Sequence, residues 1–155
     1  MQEIERKFLV KNNEYVAQAT GQKRIVQGFL STHPERTVRV RIKGDQGFLT
    51  IKGLSNETGT TRFEWEKEVP LPEAEALLGL CEHTIIDKTR YDIPIGKHLF
   101  EVDVFAGNNA GLIVAEVELS SEEEHYKAPS WLGKEVTGDI KYYNSQLSQQ
   151  PYKEW

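Results

Sequence analysis

Charged side chains recur at two-residue spacing along the whole 155-residue chain. Glu3, Glu5 and Lys7 open it. Arg39 and Arg41, Lys52, Glu64 and Glu66, Lys88 and Arg90, Glu101 and Asp103, and Glu116 and Glu118 follow. In a β-strand, residues i and i+2 point to one face. Each doublet therefore sets charges side by side, mostly of one sign. Like charges that close repel unless something bridges them. A divalent cation bridges carboxylates, and a polyphosphate bridges basic groups. The pattern points to a site for a metal together with a polyanion. On a merely solvated face, opposite charges from neighbouring strands would have to neutralise the doublets instead.

The elements that must carry these residues are mostly strands. Eight segments read that way. The first runs from Glu3, with Ile4, Phe8 and Val10 opposite the charges and Arg6 breaking that apolar row near a rim. The others are Ile25–Ser31, Thr37–Lys43, Phe48–Lys52, Arg62–Val69, Ile85–Ile93, His98–Phe105 and Leu112–Leu119. Their uncharged faces are apolar and partly aromatic: Val38, Val40 and Ile42; Phe63 and Trp65; Phe100, Val102 and Val104. Short turns such as Gly44-Asp45-Gln46-Gly47 predict an antiparallel meander. Gly53–Thr61 reads as a polar, mobile loop. Helices are predicted over Asn12–Thr20 with Gly21 as its stop, over Glu73–Cys81 behind Pro72, from Ser120-Ser121-Glu122-Glu123, and from an Asp139 cap to about Gln149. Trp131-Leu132-Gly133 reads as an apolar anchor. Two architectures satisfy the strand pattern. In an open sheet, helices cover the apolar face and water the charges. In a closed barrel, the charged faces line a lumen and the sheet has no free edge.

Composition sets the bounds. At this length the sequence predicts one domain, residues 1–155, with a sizeable core. Hydrophobic residues are 38% and charged ones 28%, an ordinary balance for a water-soluble chain. No apolar run reaches membrane-spanning length, and the start is a charged strand rather than a signal peptide. Cys81 is the only cysteine, which excludes an intramolecular disulfide and a cysteine metal cluster and fits a reducing, cytoplasmic setting. The net charge of −5 argues against a nucleic-acid surface. A homodimer is compatible with the chain, but the oligomeric state is not legible.

With these residues in view, Glu3-Ile4-Glu5-Arg6-Lys7-Phe8 is similar to the N-terminal ExExK signature of the CYTH domain, the triphosphate tunnel metalloenzyme superfamily. The later doublets match in order, and Gly133–Asp139 followed by Tyr142-Tyr143-Asn144 resembles the ending of short bacterial members. The resemblance covers nearly the whole chain. It implies a mainly β, α+β fold: a closed eight-stranded antiparallel barrel with a charged lumen and a few outer helices. It implies Mg²⁺ or Mn²⁺ as cofactor and a small-molecule triphosphate as substrate. By matching position, Glu3, Glu5, Glu116 and Glu118 are the expected metal ligands. Lys7, Arg39, Arg41, Lys52, Lys88 and Arg90 are the expected phosphate holders. These six and the pair Glu3 and Glu5 make up the expected catalytic set. Glu64, Glu66, Glu101 and Asp103 are expected to line the tunnel, with metal binding, water positioning and balancing of the bases all open to them.

Three functions follow from that resemblance. Hydrolysis of inorganic triphosphate to pyrophosphate and phosphate is favoured, because no reader for a nucleobase or thiazolium ring is evident. An adenylate cyclase or a thiamine or nucleoside triphosphatase is the alternative on the same site. A polyphosphate-binding module without turnover is the alternative of another class. Phosphoryl transfer needs no protein nucleophile, so Cys81 reads as core. His33, His83, His98 and His125 show no ligand spacing, and Trp65 reads as packing.

Overall fold

Alternation of charged and apolar residues dictates a sheet with two unlike faces, and closing the sheet puts the charged face inside. The computed structural model describes Met1–Trp155. Its strands are β1 (Gln2–Val10), β2 (Gly21–Ser31), β3 (Thr37–Lys43), β4 (Gln46–Ser55), β5 (Thr61–Val69), β6 (Glu82–Ile95), β7 (His98–Phe105), β8 (Ile113–Glu118) and β9 (Leu132–Glu135). Three helices accompany them: α1 (Tyr15–Gln18), α2 (Leu71–Leu78) and α3 (Asn144–Gln149). The strand order is β5-β4-β3-β2-β6-β7-β8-β1, and β1 returns to β5 through Gln2↔Phe63, Glu3↔Arg62 and Ile4↔Thr61. All pairs are antiparallel, so eight strands close a barrel and the open-sheet alternative falls. The last residues of β1 pair with β9 (Phe8↔Glu135, Val10↔Leu132), a strand the sequence pattern did not predict. No helix is long and apolar enough to cross a membrane.

Two apolar clusters hold the barrel, one on each side of its wall. Outside, Phe8, Phe100, Val102, Ala115 and Val117 pack under Tyr15 of α1 and the fully buried Trp131. Farther round the outer wall, α2 lies over β3 and β4, with Ala74 and Val40 both buried. The second cluster lies inside. Phe29, Ile86, Phe105 and Val114, with Leu9 against them, stand on the charged faces of β2, β6, β7, β8 and β1. Val136, Tyr142 and Leu147 from the C-terminal segment complete this cluster and stopper one end of the lumen. Each such side chain contributes about 1.5–3 kcal/mol when fully buried.

The helical expectations need correction. The first helix covers only Tyr15–Gln18. Gly21 does not stop it but begins β2, because Thr20 N–H bonds to Asp92 O and Gly21 already pairs with Asp92. The second helix runs from Leu71 to Leu78, so Cys81 lies beyond it, half-buried with its thiol toward Leu77 O. Ser120–Glu123 forms no helix. There Glu122 accepts bonds from Asn56, Thr58 and Thr60, while Glu124 accepts from Ser120 N–H and lies 2.5 Å from His98 Nε2. The terminal helix is broken at Tyr143, which is extended (ψ 137°). A 3₁₀ turn, Ile140–Tyr142, precedes it, with Asp139 capping Lys141 N–H, and α3 follows.

Candidate active site in the barrel lumen

The charged lumen side chains come from seven of the eight barrel strands, all but β2. Glu3, Glu5, Lys7, Arg39, Arg41, Lys52, Glu64, Glu66, Lys88, Arg90, Glu101, Glu116 and Glu118 all line one cavity. Asp103 was expected on that wall as well. It lies one layer deeper, 1% exposed, beneath Lys88 and Arg90. Lys52 keeps the inward parity of Thr50, and the register shift that follows it brings Ser55 to the cavity as well.

Ion pairs sort the lumen into sectors. Arg90 donates to both oxygens of Asp103, at 2.7 and 2.9 Å, and Lys88 Nζ stands 2.7 Å from the same carboxylate. Burial pushes Asp103 up, but the charges of Arg90 and then Lys88 hold it well below the usual carboxylate range. Burial dominates at Lys88 and lowers its ammonium to about 8. Glu66 sits between Arg39 and Arg41, at 3.3 and 3.4 Å, and accepts from Thr50 at 2.6 Å. Burial, then the neighbouring charges of Arg39 and Arg90, lowers the Arg41 guanidinium to about 10. The Nε atoms of Arg39 and Arg41 are buried and have no hydrogen-bond partner. Both guanidinium groups line the cavity, and each turns Nη2 toward Glu66.

The acidic sector is built differently. Cross-strand register places Glu5 opposite Glu118 and Lys7 opposite Glu116. Directly opposed like charges destabilise a sheet. Burial, then Glu116 and Glu3, raises Glu5 well above the ordinary value, and burial, Glu3 and Glu101 raise Glu118. Lys7 lies 3.8 Å from Glu116. Glu3 is held by Lys52 at 2.9 Å, and Lys52 also approaches Glu64 at 3.3 Å. Burial alone would raise Glu3, but Lys52 brings it to about 2. No three carboxylates converge as a ready-made metal cage.

The family model described as the CYTH domain matches residues 1–149. The chain belongs to that family. As a CYTH chain it is 45% identical over 152 residues to an inorganic triphosphatase of Acetivibrio thermocellus, covering 97% of this chain and 96% of the relative. It is 38% identical over 156 residues to an inorganic triphosphatase of Nitrosomonas europaea, covering 96% and 97%. A crystal structure of an inorganic triphosphatase superposes with a TM-score of 0.65 at 35% identity, over 94% of this chain and 97% of that one.

Sequence reading missed several lumen residues of this CYTH barrel. Alternation already puts Lys43 on the face of Arg39 and Arg41 and Thr50 on that of Lys52, though neither is among the expected site residues; Arg62 lines the cavity as a two-residue continuation of Glu64-x-Glu66, so its signal was present too. Thr37 follows the parity of Arg39 and Arg41. Tyr143 and Asn144 enter from the C-terminal segment, which has no strand period to betray them. Asn144 Oδ1 accepts from Lys88 at 3.0 Å and from Gln27 at 2.9 Å.

The inner wall is finished by a backbone clasp. The β4–β5 loop, read as mobile from its composition, is tied down through Glu122 and meets the C-terminal segment at Gly59 and Gly138. Both have positive φ, +76° and +79°. A Cβ on Gly59 would overlap the Cα of Gly138, and one on Gly138 would stand 2.9 Å from Thr58 O. Only glycine fits at either position. Gly138→Ala is expected to cost about 1–3 kcal/mol, read as a lower thermal midpoint. An unchanged midpoint would show that the loop swings away freely.

Proposed function

We propose that this chain hydrolyses inorganic tripolyphosphate to pyrophosphate and orthophosphate, with Mg²⁺ or Mn²⁺ as cofactor. The observation that carries the reading is the convergence of six basic side chains, Lys7, Arg39, Arg41, Lys52, Lys88 and Arg90, on one cavity. Guanidinium groups present a planar fork that matches two phosphate oxygens. Glu66 bridges the Nη2 atoms of the two forks, and a phosphate group would compete with it for those donors. Lys7, Lys52, Lys88 and Arg90 supply further point charges and forks along the chain of phosphates. Glu101 and Glu64 balance these bases nearer the solvent.

The residues also fit a hard divalent cation. Glu5 and Glu118 face each other with no cation of the protein within ion-pair distance, and Glu116, now beside Lys7, would complete the set by rotating toward them. Oxygen donors of this kind suit Mg²⁺ or Mn²⁺ with water completing the shell. Glu5, Glu116 and Glu118 would hold it, with Glu3 joining by releasing Lys52. When bound, it would neutralise phosphate charge, polarise a phosphoryl oxygen and lower the pKa of water. The family is one of metalloenzymes, which supports this assignment.

Inorganic triphosphate is preferred over organic triphosphates because the cavity offers no free ring surface. Its only aromatic lining residues are Phe29 and Tyr143. Phe29 is buried in the stopper, and the Tyr143 ring carries Lys7 and Arg62. We further propose that residues 1–155 act as one functional domain and that the reaction runs in the cytoplasm, where a lone thiol stays reduced.

The test is product analysis with purified protein, tripolyphosphate or ATP at equal concentration, and each metal. Tripolyphosphate should yield pyrophosphate and phosphate faster than ATP is consumed. Cyclic AMP with matching pyrophosphate and negligible tripolyphosphate cleavage would hand the reading to a cyclase. Tight binding with no turnover would make the chain a binding module.

A further inference from the structure

We propose that Arg62, positioned by Tyr143, is a substrate-binding residue at the inner end of the phosphate site. The inference rests on the triphosphate reading above and extends it to a side chain outside the charged doublets. Arg62 begins β5 on the lumen side, two residues before Glu64, and lines the cavity. Its guanidinium makes two neutral hydrogen bonds, Nε to Gly53 O at 3.1 Å and Nη2 to Thr37 Oγ1 at 3.4 Å. No carboxylate lies within ion-pair distance of it. The doublet cations Lys7, Arg39, Arg41, Lys52, Lys88 and Arg90 each have one. A guanidinium carries five N–H donors, so Arg62 keeps donors and an uncompensated charge for a ligand.

The Tyr143 ring explains how that charge is held in place. Arg62 Cζ lies 5.7 Å from the ring centroid and Lys7 Nζ 5.1 Å from it. Cations at that range are attracted by the ring quadrupole. Two cations sharing one ring also repel each other, and a phosphate within reach of both removes that repulsion. The ring is fixed in turn by the Tyr143 hydroxyl, 3.2 Å from Ser55 Oγ, beneath the Gly59–Gly138 clasp. Extension of Tyr143 between the 3₁₀ turn and α3 is what delivers the ring to this point.

The experiment measures tripolyphosphate binding by calorimetry and turnover kinetics, with Mg²⁺ present, alongside thermal midpoints. Arg62→Gln keeps a donor for Gly53 O but loses the charge. It should raise Kd and KM for tripolyphosphate by about tenfold or more and leave the midpoint within a few degrees. Arg62→Lys should recover part of the affinity. Tyr143→Leu should weaken binding in the same way, and Tyr143→Phe, which keeps the ring, should retain most of what Leu loses. Unchanged Kd and KM in Arg62→Gln, with or without a lower midpoint, would overturn the proposal and leave the triphosphatase reading intact. Wild-type binding without turnover would overturn the hydrolase reading, while the Kd comparison would still decide Arg62. Absence of tripolyphosphate binding by the wild type would overturn both.

Discussion

Asp103→Ala will cost the fold about 3–5 kcal/mol, because it strands two buried cations. Lys88 and Asp103 side chains are both 2% exposed, and Arg90 is 9% exposed. Both bases are held deep on the cavity wall, away from bulk solvent. Arg90 retains Glu101 at 3.3 Å, but Lys88 keeps only the neutral Asn144. In a chain of this size the loss corresponds to a thermal midpoint lower by on the order of 10 °C. Because the folded Asp103 pKa is depressed, its stabilising effect is present above the ordinary Asp value of about 3.9. It is lost as pH falls through the depressed folded value. Tripolyphosphate should restore part of the midpoint by bringing an anion to the same bases. A drop of less than about 2 °C would show that the bases find other partners and that Asp103 is not their keystone.

Removing both Glu5 and Glu118 should abolish turnover while leaving the metal-free fold as stable as before, or more so. The two carboxylates face each other across β1 and β8, and burial with neighbouring acids already disfavours their charged forms. Their ionised state is therefore a liability in the free protein and an asset only when a cation is present. In Glu5→Ala plus Glu118→Ala, tripolyphosphate turnover should fall by at least about 100-fold. Mg²⁺ or Mn²⁺ should raise the thermal midpoint of the wild type but not of the double variant, as linkage to a lost site requires. Exhaustive EDTA treatment should silence the wild type in the same assay. Full activity after EDTA, or an undiminished metal-induced midpoint shift in the variant, would sink the assignment of these carboxylates.

Side-chain parity made the lumen legible: β3 and β7 begin and end where alternation places them, and the barrel wall follows from which face carries charge. Parity reports the face, however, and not the depth along it. Leu9, Phe29, Ile86, Phe105 and Val114 share their strand faces with the charges, yet they form the stopper. Asp103 shares a face with Glu101, yet it is a buried counter-ion. Arg62 is the opposite case, since it obeys the period of Glu64 and Glu66 yet is not among the expected site residues. The C-terminal segment was least legible. Its short helix and the break at Tyr143 are set by docking into the barrel, and local propensity carries little of that information.

The inner stopper makes the tunnel a cul-de-sac. Substrate enters and both products leave by the mouth where Glu64, Glu66, Glu101 and Glu118 meet solvent. A polymer should not thread past the stopper, so long polyphosphate is expected to be engaged by one end and not degraded processively along its length. Release should also be queued, with the product nearer the stopper waiting behind the one nearer the mouth. Product inhibition should therefore be unequal, with the last product to leave competing directly with tripolyphosphate for the vacated pocket.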